Sequence, residues 1–250
     1  MFIHNINPVL LKIGNIEIRY YGLIYAFGFL LAYLFIKKLS EERRINIKKE
    51  DLESFLFYLA LGTIIGARLF YTIFYNIKFY LNSPLDIFAL WHGGMSFHGG
   101  LVGAFIATYL FCKKRKLNFL KVADIIVIPA ALALFLGRIG NFLNGELYGR
   151  IADLPWAVKF PNAEGFRHPS QLYESLKNLL IFTILWFNRN KNRPYGYLFA
   201  LFLILYSIFR FLIEFVREPE IYVGFLTMGQ LLTIPLFIIG IIILRKSKSS

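Results

Sequence analysis

Arg210, Glu214 and Arg217 stand at i, i+4 and i+7 at the end of a long apolar run, so they share one face of a helix. Arg138 and Asn141 close another apolar run, with Glu146 shortly after, and His168, Gln171 and Glu174 open a further one. Arg68 lies inside a fourth run, and His98 near the start of a fifth. Charge in such runs is costly and is a functional signal by default. Guanidinium groups are permanently charged and fork onto phosphate oxygens bidentately. Several arginines with carboxylates at one end of the runs therefore describe a polar chamber for an anion, and beside lipid the available anion is a phospholipid head group. The bland alternative is an ion cluster that locks helices together, or side chains snorkelling to an interface. Snorkelling alone would place basic residues at both ends of the runs. Arg210 lies roughly 12 Å inside its run at 1.5 Å per residue.

Other chemistries find little support. Gly93-Gly94-Met95-Ser96-Phe97-His98-Gly99-Gly100 would let backbone approach a ligand closely, but glycine is common in membrane helices anyway. There is no G-x-S-x-G elbow and no H-E-x-x-H motif. His92 and His98 would fall on different helical faces, which argues against a metal site. The single Cys112 excludes an intrachain disulfide and reads as a small buried residue.

The elements that must position these residues follow from composition. Hydrophobic residues make up 57%, aromatics 18% and charged residues 17% of 250 residues, with 27 Phe and a mean hydropathy of +0.57. Soluble domains carry about 25% charge. The reading is an all-α integral membrane protein with a single transmembrane domain over residues 1–250. Seven spans are expected over Tyr20–Ile36, Leu52–Tyr75, Met95–Cys112, Val122–Gly140, Ser170–Phe187, Tyr195–Val216 and Phe225–Leu244. Residues 1–19 read as an interfacial arm, without the features of a cleavable signal. Residues 141–169, with Pro155, Trp156, Pro161 and Gly165, read as a small ordered head between spans four and five. The net charge of +13 is concentrated in loops such as Lys37–Lys49, Lys113–Lys121 and Arg189–Arg193, which favours cytoplasmic loops over a nucleic-acid surface. The N-terminus, the arm and the head are then periplasmic and the C-terminus cytoplasmic. Gly62 and Gly66 carry a close helix-packing spacing.

Three segments resemble the signature blocks of bacterial prolipoprotein diacylglyceryl transferases: Gly93 to Leu101, Gly137 to Arg150 and Arg167 to Glu174. Tyr20-Tyr21-Gly22 and Phe209 to Arg217 are similar to two more, although Tyr20 replaces an expected Trp. The resemblance runs the length of the chain. It implies an enzyme of the bacterial inner membrane that moves the diacylglyceryl group of phosphatidylglycerol onto the thiol of a prolipoprotein lipobox cysteine. This would be the first step of lipoprotein maturation, releasing glycerol phosphate, with membrane lipids as surroundings and no cofactor.

The same resemblance implies roles. Arg138 and Arg210 form a phosphate clamp. Asn141, Glu146 and Gly149 belong to the head-group signature, and Glu214 pairs with Arg210 when substrate is absent. Tyr21 matches a tyrosine of the family pattern, whereas Tyr20 and Tyr25 read as interfacial anchors. His98 leads as the thiol's base by its chemistry, with Glu146 as rival. Arg68, His168, Glu174 and Arg217 are secondary candidates. The alternative class is a small-solute or ion transporter, which should show internal repeats and midplane sites; no such repeat is visible.

Overall fold

The computed structural model describes residues 1–14, 16–43, 45, 47–90, 93–190, 192–219 and 222–248; His92, Arg44 and Lys191 lie outside them. Helices cover each of the expected apolar runs. They are α1 (Tyr20–Glu42), α2 (Lys49–Phe74), α4 (Phe97–Arg115), α5 (Phe119–Leu143), α6 (Ser170–Asn188), α7 (Tyr197–Ile213) and α8 (Met228–Lys248), with a short α3 (Ile77–Asn82) after α2. Four of them, α1, α2, α5 and α8, are long and apolar enough to cross a membrane. Helices α4, α6 and α7 are shorter, at 19, 19 and 17 residues. Side chains such as Phe27 and Leu30 on α1 and Phe57 and Ile65 on α2 are exposed, as lipid-facing surface requires. Pro129 and Pro235 sit inside α5 and α8 without ending either helix.

The expected all-α chain also carries short β pairs. Strand β1 (Phe2–Ile3) pairs in parallel with β4 (Val158–Lys159), β2 (Val9–Ile13) pairs antiparallel with β3 (Ile16–Arg19), and β5 (Tyr222–Val223) with β6 (Leu226–Thr227). The first residues therefore belong to the segment between α5 and α6. His4 anchors them: its Nε2 lies 2.7 Å from the Phe142 carbonyl, and its ring packs against Phe142 and Phe160.

The chain forms two compact units: Met1–Arg43 with Ala123–Ser250, and Arg44–Val122. In the second, α2 and α4 meet through glycines. A Cβ at Gly62 would fall 2.8 Å from the Ala107 Cβ, and one at Gly66 would strike the Gly99 carbonyl. The spacing at Gly62 and Gly66 thus has its partner in Gly99 and Gly103, and the two backbones touch because neither side carries a side chain.

In the first unit, Asp124 of α5 accepts from Gly196 N and Phe199 N at 3.0 and 2.9 Å, capping α7, and pairs with Arg43 at 3.4 Å. Helix α7 ends a turn earlier than its apolar run. After Ile213, Phe215 N and Val216 N make i→i−3 bonds, Arg217 N reaches the Ile213 carbonyl at 3.2 Å, and Arg150 N captures the Val216 carbonyl at 2.9 Å. Of the three, only Arg210 is within α7: Glu214 is its C-cap, and Arg217 lies beyond it in an isolated bridge with Gly149, its Nε still 3.6 Å from Glu214.

Candidate active site

Four helical or near-helical segments of the first unit bring ionisable side chains to one place. Glu174, on the second turn of α6, is 1% exposed and is the centre. Its Oε2 lies 2.9 Å from Arg138 Nε of α5 and 3.9 Å from Lys177 Nζ, one turn along α6. Its Oε1 meets Arg217 and lies 3.6 Å from Arg210 Nη1 of α7. Glu214, at the C-cap of α7, pairs with Arg210 and lies 3.6 Å from Arg217 Nε. Thr227, just before α8, donates its hydroxyl to Glu214 Oε1 at 3.0 Å. Gly229 leaves room for this carboxylate, since a Cβ there would fall 2.5 Å from Glu214 Oε1.

Four cations and two carboxylates leave this nearly closed cluster with a formal charge of +2. An unbalanced buried charge is expensive.

A second layer ties the cluster to the exposed Glu146. Arg138 Nη1 donates to Asn141 Oδ1 at 3.4 Å, and Asn141 Nδ2 donates to Glu146 Oε1 at 2.8 Å. The turn carrying Glu146 is held by the start of α6: Gln171 donates to the Glu146 carbonyl at 2.7 Å and Ser170 to the Leu147 carbonyl at 3.0 Å. Leu147 takes a positive φ of 58° there. Gly149 has a packing reason, because a Cβ would meet the Val216 carbonyl and lie 2.7 Å from the His168 Cβ. Tyr21 packs its ring on Gly140 and shares a hydrogen bond of 2.9 Å with Tyr25. His168 faces the Tyr173 hydroxyl at 3.3 Å, and burial pushes its imidazole below the ordinary value, favouring the neutral ring.

An open cleft lined by Arg150, Ile151, Arg167, Glu218, Pro219 and Tyr222 adjoins this layer. Arg150, in its lining, donates its Nε to the Arg217 carbonyl at 2.9 Å.

Arg68 and His98 belong to the other unit. Arg68 is buried, and its donors go to the carbonyls of Asp86, Ile87, Ala89, Gly93 and Gly94. That accounts for all five guanidinium N–H groups. Arg68 holds the segment that leads into α4, where Gly93 and Gly94 both have positive φ. His98 is the second residue of α4 and half-buried, with Ser96 as the N-cap accepting from Gly99 N at 3.4 Å.

Sequence reasoning placed Glu174 and Arg217 second to Arg138 and Arg210, and missed Lys177 altogether. The signal for Lys177 was present: an ionisable residue three after Glu174 inside an apolar run.

Residues 8–245 match the family described as prolipoprotein diacylglyceryl transferase. The chain belongs to that family. Curated relatives named phosphatidylglycerol–prolipoprotein diacylglyceryl transferase include one from Geobacter sulfurreducens, 45% identical over 95% of this chain and 94% of its own. Another, from Bordetella parapertussis, is 46% identical over 94% and 93%, and one from Rickettsia felis is 45% identical over 94% and 95%. As a member of the prolipoprotein diacylglyceryl transferase family, the chain draws the cluster from three of the resembling blocks: Gly137 to Arg150 supplies Arg138, Arg167 to Glu174 supplies Glu174, and Phe209 to Arg217 supplies Arg210, Glu214 and Arg217.

Proposed function

We propose that this protein transfers the diacylglyceryl group of phosphatidylglycerol to the thiol of a prolipoprotein lipobox cysteine and releases glycerol phosphate. The observation that carries the proposal is the buried +2 cluster around Glu174, in a chain whose relatives are named for this transferase.

The reaction displaces phosphate from a glycerol carbon. No acyl carbonyl is attacked, so the main demands are charge stabilisation on the leaving phosphate and a base for a thiol of ordinary pKa about 8.5. Arg138 and Arg210 serve as the phosphate clamp, and in the absence of lipid their charge is held by Glu174 and Glu214. Asn141 and Glu146 orient the head group beside Arg138. Gly149 and Tyr21 belong to the wall of the same site. His98 and Glu146 are the two candidates for the base.

The protein is read as crossing the bacterial inner membrane seven times. The arm of residues 1–19 and the head of residues 141–169 are periplasmic, and the C-terminus is cytoplasmic. Support comes from the apolar helices and the concentration of basic residues in alternate loops.

Purified full-length protein with phosphatidylglycerol and a lipobox peptide tests the proposal. Transfer is expected, with release of glycerol phosphate. Arg210→Lys keeps the charge but loses the planar fork, and should reduce kcat by roughly 100-fold while the protein remains folded. Normal turnover by Arg210→Lys would remove the clamp assignment, and no transfer by the unaltered protein would remove the proposal.

A further inference from the structure

Lys177 Nζ has no hydrogen-bond acceptor among the described residues, as is also true of Arg210 Nη1 and Arg217 Nε, but all three donors of the lysine sit on that one atom. Its side chain is 3% exposed, with Nζ 3.9 Å from Glu174 Oε2 and 4.0 Å from the centroid of the Tyr206 ring. A buried ammonium offers three donors, and leaving them unmet is costly. Glu174 is the nearest answer, yet it is already shared among Arg138, Arg210 and Arg217. Glu146 is exposed and reaches the cluster only through Asn141. The three arginines and two carboxylates alone sum to +1, and with Lys177 the formal charge is +2.

The proposed reaction changes the charge of the phosphate in the site. The thiolate sulfur bonds to the glycerol carbon bearing the phosphate. The carbon–oxygen bond breaks, and its electron pair stays on the phosphate oxygen. The thiolate's negative charge disappears into a neutral thioether, while the singly charged diester becomes a doubly charged monoester. One net positive charge balances the resident diester. The second meets the charge that passes from the thiolate sulfur to the phosphate oxygen as that bond stretches.

We propose that Lys177 matches the cluster to the departing phosphate dianion rather than to the bound diester, an assignment that rests on the transferase reading of the site. Its interaction strengthens along the reaction coordinate, which is the condition for raising kcat and not merely affinity.

Two measurements on the full-length protein in detergent test this. The first uses methyl phosphate and dimethyl phosphate as probes, at a pH above the second phosphate ionisation of about 6. The unaltered protein should prefer the methyl phosphate dianion. Lys177→Met should lose about 10-fold in affinity for it, with little change for dimethyl phosphate. The second is transfer itself. Lys177→Met should lower kcat by roughly 100-fold with a nearly unchanged KM for phosphatidylglycerol, and Lys177→Arg should restore most of the rate.

Equal losses for both phosphates, or wild-type kcat in Lys177→Met, would overturn the proposal. If Lys177→Met does not fold, the decision passes to the unaltered protein and Lys177→Arg, where absence of a dianion preference overturns it. A protein that prefers the dianion but transfers no lipid would overturn the transferase reading and leave the charge match standing, because the first measurement contains no lipid.

Discussion

Glu174 Oε2 lies 2.9 Å from Arg138 Nε, while the other oxygen of the same carboxylate meets Arg217. One buried carboxylate therefore joins α5, α6 and the segment after α7. It holds Arg138, Arg210 and Arg217 around itself.

Removing that carboxylate leaves several buried cations uncompensated. Glu174→Gln should destabilise the protein by about 3 kcal/mol, the scale for breaking one side of a buried ion pair. Thermal unfolding in detergent measures the loss. Added phosphate should restore part of the lost stability, because it supplies the missing negative charge. A melting temperature unchanged by the substitution would show that Glu174 is not the centre of the cluster.

The base can be separated from the clamp by pH. A general base matters less once the nucleophile is ionised. His98→Gln should lose transfer near pH 7 and regain part of it towards the thiol pKa of about 8.5, whereas Arg138→Gln should stay inactive throughout. The pH–rate profiles of both variants provide the check. A uniformly low profile for His98→Gln, with recovery in Glu146→Gln, would move the base to Glu146.

Gly149→Ala tests the connection between the exposed turn and the cluster. The added methyl would meet the Val216 carbonyl and the His168 Cβ, pushing apart the bridge that places Arg217. Overpacking of this kind costs about 1–3 kcal/mol. Transfer should fall more than stability does, since Arg217 shifts relative to Glu174. Unfolding and turnover measured on one preparation separate the two effects.

Orientation can be read with single cysteines, because Cys112 is buried. Asn162 and Asn192 are both exposed. In intact cells, Asn162→Cys should react with a membrane-impermeant thiol reagent, and Asn192→Cys should react only after the membrane is opened. The reverse pattern would place the arginine cluster on the cytoplasmic side.

The sequence alone determined the apolar runs, and with them the positions of the long helices, because burial periodicity and span length are local properties. It also determined the Arg210–Glu214 pair, since i and i+4 meet on any helix. Only the tertiary structure decided what lies opposite each face. Arg68 and Arg138 look alike in sequence, as single arginines in apolar runs, yet Arg68 is spent on backbone carbonyls and Arg138 faces Glu174. Glu174 became the hub through contacts among three successive helices, whereas Lys177, three residues on, is its neighbour on α6 itself. Strand β1 pairs with β4 across most of the sequence, and two-residue strands carry no period to announce them. The end of α7 was set likewise, when Arg150 N took the Val216 carbonyl and turned Arg217 out of the helix. A side chain's spacing fixes the direction in which it points. Its partner is fixed by which distant segment packs there.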